Sequence, residues 1–265
     1  MNVRPLPFLL LVAGALASMS AASVPLHDGE QLKYRVSWAI VPGAGEISIS
    51  GRQDNSGPTP TMVVTSTTAT RRLARMLLPF DAEARSIFDL QTGKLLSLHE
   101  SSQQKGRRSE HRVTFDHETR KAAYTHLTKA DASRELDIPE GDPTDLMMGL
   151  LQTRTWDLKP GQKRDALVLF DDDFYELTIH MARYEDVSTP LGQFRTVVLE
   201  PRMDKTPPKG MFRRGSSVRI WIAQDSHRLP VKFEVEFKIG TGTATLEAYV
   251  PPAKPAPSNG ANPRS

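Results

Sequence analysis

Asp225, Ser226 and His227 place a carboxylate, a hydroxyl and an imidazole side by side in this sequence. Hydrolytic triads assemble distant residues through hydrogen-bonded geometry, so adjacency alone argues for a turn. In such a turn Asp225 bonds its own backbone and Arg228 pairs with it. Asp171-Asp172-Asp173 offers carboxylate oxygens. A calcium loop, however, converges many oxygens with a spaced glycine and a terminal glutamate that this stretch lacks. A solvated reversal is the expectation there. His27, His99, His111, His117, His126, His180 and His227 include no pair at zinc-binding helical spacing. Folding can still gather some of them, for example His99 and His111 on neighbouring strands. No metal, no cofactor and no catalytic residue is assigned.

Cations make up the remaining candidates. Arg71, Arg72 and Arg75 crowd one short segment, and Lys205, Lys209, Arg213 and Arg214 crowd a loop built around Pro207-Pro208-Lys209-Gly210-Met211-Phe212. Long loops between strands often carry function. An apolar tip at Met211-Phe212 flanked by cations suits an anionic membrane surface or a phosphate-bearing head group. The competing reading is a solvated loop with one aromatic tucked against the fold. The candidate ligand-binding set is therefore Arg71, Arg72, Arg75, Lys209, Met211, Phe212, Arg213 and Arg214.

The elements that must position these residues are mostly strands. Gln31 to Trp38 alternates polar with apolar, and Pro42-Gly43-Ala44-Gly45 supplies turn chemistry before alternation resumes from Glu46 to Ser50. Short β-prone runs follow at Thr61 to Ala69, Ala82 to Leu90, Leu95 to Gln103, Ser109 to Phe115 and Lys121 to Leu127, divided by turn-forming clusters. Further runs occur at Arg164 to Phe170, Phe174 to Tyr184, Gln193 to Glu200, Val218 to Ala223, Leu229 to Ile239 and Thr241 to Tyr249. Two segments have helical spacing instead. Arg71 to Leu78 ends at Pro79, and Thr144 to Arg154 follows Asp142 as cap and Pro143 as first helical residue. The expected fold is mainly β: a single antiparallel sheet of about thirteen to fourteen strands, curled into an open barrel or β-spiral, with two short helices.

Length and composition agree with an ordinary globular protein, since the 265 residues are 38% hydrophobic and 25% charged. A formal net charge of +3 is too small and too scattered to predict nucleic-acid binding. Met1 to Arg4 is positive, Leu6 to Leu16 is almost wholly apolar, and small residues continue to Ala22, which is the pattern of a signal peptide. Cleavage is expected after Ala22, with Ser20 as the alternative. The absence of cysteine excludes a disulfide framework, a thiolate metal site and a lipidated cysteine. No later stretch approaches the roughly 20 apolar residues of a spanning helix. Expected are a signal peptide over 1–22, one open barrel domain over 23–250 and a disordered tail over 251–265. The mature chain is expected to be a periplasmic monomer without a lipid anchor or a transmembrane span.

Gly29-Glu30-Gln31-Leu32-Lys33-Tyr34-Arg35-Val36-Ser37-Trp38 with Pro42-Gly43-Ala44-Gly45 resembles the start of the bacterial domain of unknown function 3108 family. Asp142-Pro143-Thr144-Asp145-Leu146 through Arg154, with Leu158-Lys159-Pro160-Gly161, resembles its central helix and following turn. Thr189-Pro190-Leu191-Gly192, Val218 to Asp225 and Arg228-Leu229-Pro230-Val231 resemble its C-terminal half. The resemblance implies an exported envelope protein with an open, spiral-like β-barrel, similar to the half-barrels of periplasmic lipoprotein carriers. It implies no activity and transfers no catalytic residue.

The leading functional expectation is a non-catalytic periplasmic binding protein for an amphipathic ligand such as an envelope lipid, because the inner face of an incomplete barrel must be filled. The alternative is a structural or partner-binding envelope protein that uses exposed strand edges. A hydrolase comes third.

Overall fold

The computed structural model describes residues 24–213, 216–237 and 240–252. The export signal read over 1–22, Arg214 and the tail beyond residue 252 lie outside the described residues.

Alternation in Gln31–Trp38 (β1) buries Leu32 and Tyr34 and exposes Lys33 and Arg35, as a period of two requires. The first half of the chain continues through β2 (Val41–Asp54), β3 (Thr61–Thr70), the helix α1 (Arg72–Leu77), β4 (Phe80–Asp89), β5 (Leu95–Gln104), β6 (Arg107–Asp116), β7 (Lys121–His126) and β8 (Arg134–Asp137). After β9 (Pro143–Asp145) comes α2 (Leu146–Gln152), then β10 (Lys163–Phe170), β11 (Asp173–Thr189), β12 (Gly192–Arg202), β13 (Ser217–Ala223), β14 (Pro230–Phe237) and β15 (Gly240–Val250). All join one 15-stranded sheet in the order β8-β7-β6-β5-β4-β3-β2-β1-β15-β14-β13-β12-β11-β10-β9. β1 sits at its centre, and among the described residues only β9 on β10 is parallel.

The sheet is curled and not closed by strand pairing. Its two ends meet through side chains. Tyr124 on β7 donates its hydroxyl to Asp171 Oδ1 at 3.2 Å, and Arg134 on β8 pairs with Asp172. Strand directions sort the connections into two ends. One end, here called the open end, carries the Ala39-Ile40 turn, α1, the Lys105-Gly106 turn, the Asp171-Asp172 turn and the 203–216 connection. The opposite, closed end carries residues 24–30 and the Asp225 to Arg228 turn.

Local chemistry explains three departures from expectation. Asp145, not Asp142, caps α2, accepting from Met148 N at 2.9 Å. Pro143 lies in the three-residue β9, paired with Leu167, because an edge strand tolerates a missing N–H. The first hairpin reverses at Ala39-Ile40, so Pro42 to Gly45 belongs to β2. Gly45 is required there, since a Cβ would lie 2.8 Å from the Ala69 carbonyl oxygen. The strand count exceeds expectation through β8 and β9, both very short.

The closed end is sealed by a buried polar network. Arg154 Nη2 meets Glu30 Oε1 at 2.8 Å and the guanidinium also donates to the carbonyls of Pro25 and His227. Glu30 further accepts from the Tyr249 hydroxyl and from His27 N. Arg228 donates to the carbonyls of Arg154 and Trp156 instead of pairing with Asp225, and Tyr34 donates to Pro230 O at 2.9 Å. Every charge buried here is hydrogen-bonded, as low-dielectric surroundings demand.

Candidate functional site

α2 is apolar on all sides, which marks a helix inside a core. Met148 and Leu151 are fully buried, whereas Leu146, Met147 and Leu150 face an internal chamber of about 280 Å³. Its far wall comes from the inward phase of the central strands. Val36 and Trp38 on β1, Val218 and Ile220 on β13, Phe233, Val235 and Phe237 on β14 and Ala244 on β15 all line it. Among the described residues, no charged side chain lines the chamber, and only Thr153, Thr243 and the Trp38 indole bring side-chain polar atoms. The volume lies near the lower bound of about 300 Å³ for small-ligand pockets. Trp38 and Phe237 stack with centroids 5.8 Å apart and, like Val235, are only half-buried, so the mouth faces the open end.

Beyond α2 lies a second recess of about 330 Å³ of opposite character, and Leu146 and Met147 line both. Here β3 to β6 turn Ser66, Thr68, Glu100, Ser102, Ser109 and His111 inward. His111 Nε2 lies 3.2 Å from Glu100 Oε2, and His111 Nδ1 lies 4.0 Å from Asp171 Oδ1. Asp145 reaches the same recess, bonded by the Ser86 hydroxyl at 2.6 Å. Burial holds its carboxyl above the usual carboxylate range, and the Ser86 hydrogen bond opposes that shift. Burial, reinforced by the Asp171 charge, likewise raises the Tyr124 phenol. Among the described residues, no serine hydroxyl hydrogen-bonds to His111.

The candidates read from sequence separate into distinct places. Met211 and Phe212 do not project into solvent: both line the apolar chamber, and Phe212 packs on Tyr175 with centroids 6.1 Å apart. Lys209 is held beside them by Asp173 at 2.5 Å and lies over the Tyr175 ring, while Arg213 is exposed. Lys205 pairs with Asp165 at 2.8 Å. Arg71, Arg72 and Arg75 stand on the open rim outside the chamber, with Arg71 bonded to Glu46 and Arg75 forked onto Asp81. Asp225 forms the expected turn, accepting from His227 N and Arg228 N at 3.0 Å each. His99 and His111 lie on opposite faces of the sheet, since His99 pairs in register with Arg112 and His111 with Glu100. Sequence reasoning missed the chamber walls. Val36 and Trp38 share the phase of core residues Leu32 and Tyr34, so nothing local distinguishes lining from packing.

No helix among the described residues is long and apolar enough to cross a membrane. No curated protein matches the chain. Among solved structures, a β-barrel-like protein of domain of unknown function DUF1849 from Brucella abortus superposes with a TM-score of 0.54 at 9% identity, covering 86% of this chain and 98% of that one. That similarity concerns the fold alone. A protein described as exported, with a YmcC-like fold, from Bacteroides fragilis gives a TM-score of 0.35 at 14% identity over 86% and 99% of the two chains. One described as a lipoprotein, from Parabacteroides distasonis, gives 0.32 at 10% identity over 86% and 99%. The family model described as "Protein of unknown function (DUF3108)" matches residues 33–247, nearly the whole curled sheet, and the chain belongs to that family.

Proposed function

We propose that the chain is an exported, non-catalytic binding protein of the cell envelope that holds the apolar part of an amphipathic lipid inside its curled sheet. The observation that carries this reading is the chamber beside α2, whose lining has no charged side chain among the described residues yet whose mouth is half-open to solvent. Water in such a space finds few hydrogen-bond partners, so a hydrocarbon chain that displaces it gains the full hydrophobic term. The signal-peptide pattern over 1–22 supports an envelope location and therefore a lipid as the available amphiphile. Native mass spectrometry and lipid extraction of protein purified from its own envelope test the proposal. A co-purifying lipid released on unfolding is expected; a homogeneous empty mass, together with no uptake of a fluorescent fatty acid, would sink it.

A second reading rests on β8. Among the described residues it pairs only with β7 and leaves one edge without a strand partner, which suits strand addition by another chain. Crosslinking from Arg134 to Asp137 in intact cells decides it. A discrete protein adduct supports it, and none opposes it.

A further inference from the structure

A six-residue helix that buries nothing should not persist, because short helices depend on packing an apolar face. α1 is such a helix, with no buried residue and no side-chain cap. Its polar groups are what hold it. The Thr70 hydroxyl donates to Leu78 O and accepts from Phe80 N, closing the base of the loop. Arg71 N bonds Ala44 O, Arg71 and Arg75 bond Glu46 and Asp81, and Lys105 N bonds Pro79 O. Within the helix only Ala74 is part-buried, and the long apolar side chains face out. Met76 is 81% exposed, Leu77 71% and Leu73 56%. Ile40, in the adjoining turn, is 95% exposed, the highest value among the exposed large hydrophobic residues. Single exposed apolar residues are unremarkable, but several gathered on one rim mark a contact surface.

Charge identifies what the surface contacts. The neighbouring connections Ala39 to Gly45, Arg71 to Pro79 and Lys105 to Arg108 contain Arg71, Arg72, Arg75, Lys105, Arg107 and Arg108 and no acidic residue. Glu46, Asp81 and Glu110 neutralise Arg71, Arg75 and Arg108. Among the described residues, Arg72, Lys105 and Arg107 have no carboxylate partner. The nearest further carboxylate on β4, Glu83, lies two residues beyond Asp81, away from the rim. Apolar side chains ringed by unpaired cations match the layered chemistry of an anionic bilayer, with hydrocarbon beneath phosphate. We propose that Ile40 and α1 form a membrane-docking face that seats this end of the barrel on an anionic phospholipid surface. Because Ile40 follows Trp38 by two residues, docking presents the chamber mouth to the bilayer. The proposal does not depend on what the chamber holds.

Vesicle sedimentation with the purified full chain tests it, using phosphatidylcholine vesicles with and without one-third phosphatidylglycerol. Partition onto the anionic vesicles is expected, weakening as salt rises. Met76→Asp with Leu77→Asp should lower that partition by roughly tenfold or more, since each removes a leucine-sized burial. Both side chains are exposed, and an unchanged circular dichroism melt will confirm folding. An Ile40→Trp reporter should shift its emission to the blue on the same vesicles. Absence of partition at low salt, or undiminished partition of the double variant, overturns the proposal. So does a concentration-dependent dimer abolished by the same substitutions, which would assign the patch to a second copy of the chain.

Discussion

Arg154 and Glu30 are the residues on which the closed end depends. The pair is buried, and each partner satisfies further groups: Arg154 the carbonyls of Pro25 and His227, Glu30 the Tyr249 hydroxyl and His27 N. Removing one member of a buried pair strands the other charge, at a cost of about 3–5 kcal/mol. Arg154→Met should lose stability on that scale in urea denaturation, and Arg154→Met with Glu30→Gln should recover part of it; a double variant worse than the sum of the two singles would refute the pairing argument. Asp145 is opposite in kind. It is buried without a cation, and desolvation raises its carboxyl in the folded state. The folded protein therefore retains the proton to higher pH than the unfolded chain. Stability should fall as pH rises from the ordinary carboxylate range through the raised native value, then level off. Asp145→Asn keeps a competent helix cap and removes the ionisation. Its stability relative to the parent should climb across that window and plateau above it; parallel pH profiles would count against this account.

At the scale of elements, α2 determines whether the interior is packed or open. It presents Met148 and Leu151 to the core and leaves Leu146, Met147 and Leu150 bordering empty space, so the helix divides the barrel and does not fill it. Ala166 lines the chamber from β10 and is only partly buried. Ala166→Phe should occupy the volume, leave the melting temperature within a few degrees of the parent, and abolish uptake of a fluorescent fatty acid. Unchanged uptake by a folded variant would place the ligand elsewhere. Alternation made β1, β3 and β5 legible in the sequence nearly to the residue, because half-buried strands repeat every two positions. β8 and β9 escaped for physical reasons: Arg134 to Asp137 is almost wholly exposed, and Pro143 to Asp145 is too short to alternate. Proline and an acidic residue before an apolar stripe look like a helix start. Only the tertiary pairing of Pro143 with Leu167 shows that the strand comes first. Met211 and Phe212 read in the sequence as an apolar loop tip, whereas both line the chamber, where Phe212 packs on Tyr175, a partner thirty-seven residues away that no local pattern reveals.

For the whole molecule, the order of the sheet predicts how it moves. Along most of the sheet each strand is fixed by neighbours on both sides, with β1 between β2 and β15. The two sheet ends have no such partner. They are joined by the Tyr124 to Asp171 hydrogen bond, the Arg134 to Asp172 pair and the approach of Asp171 to His111; Tyr124 and His111 are buried, and their partner Asp171 is exposed, as is Arg134. Isolated side-chain contacts whose carboxylate partner reaches solvent are each worth about 1 kcal/mol, below what the repeated hydrogen bonds of a paired strand contribute together. The seam is therefore where the barrel should splay, and it lies across α2 from the chamber. Hydrogen exchange should show β7 and β8 opening well before β1, β2 and β15, since local opening follows the least-supported elements. Asp171→Asn with Asp172→Asn should speed exchange in β7 and β8 without altering the central strands. A lipid held in the chamber packs against Leu146 and Met147, which also border the recess under the seam. Loading with a fatty acid should accordingly slow exchange in α2 first and at the seam second. Uniform protection of all strands would mean that the sheet opens as a unit and that the side-chain seam is not its weakest line.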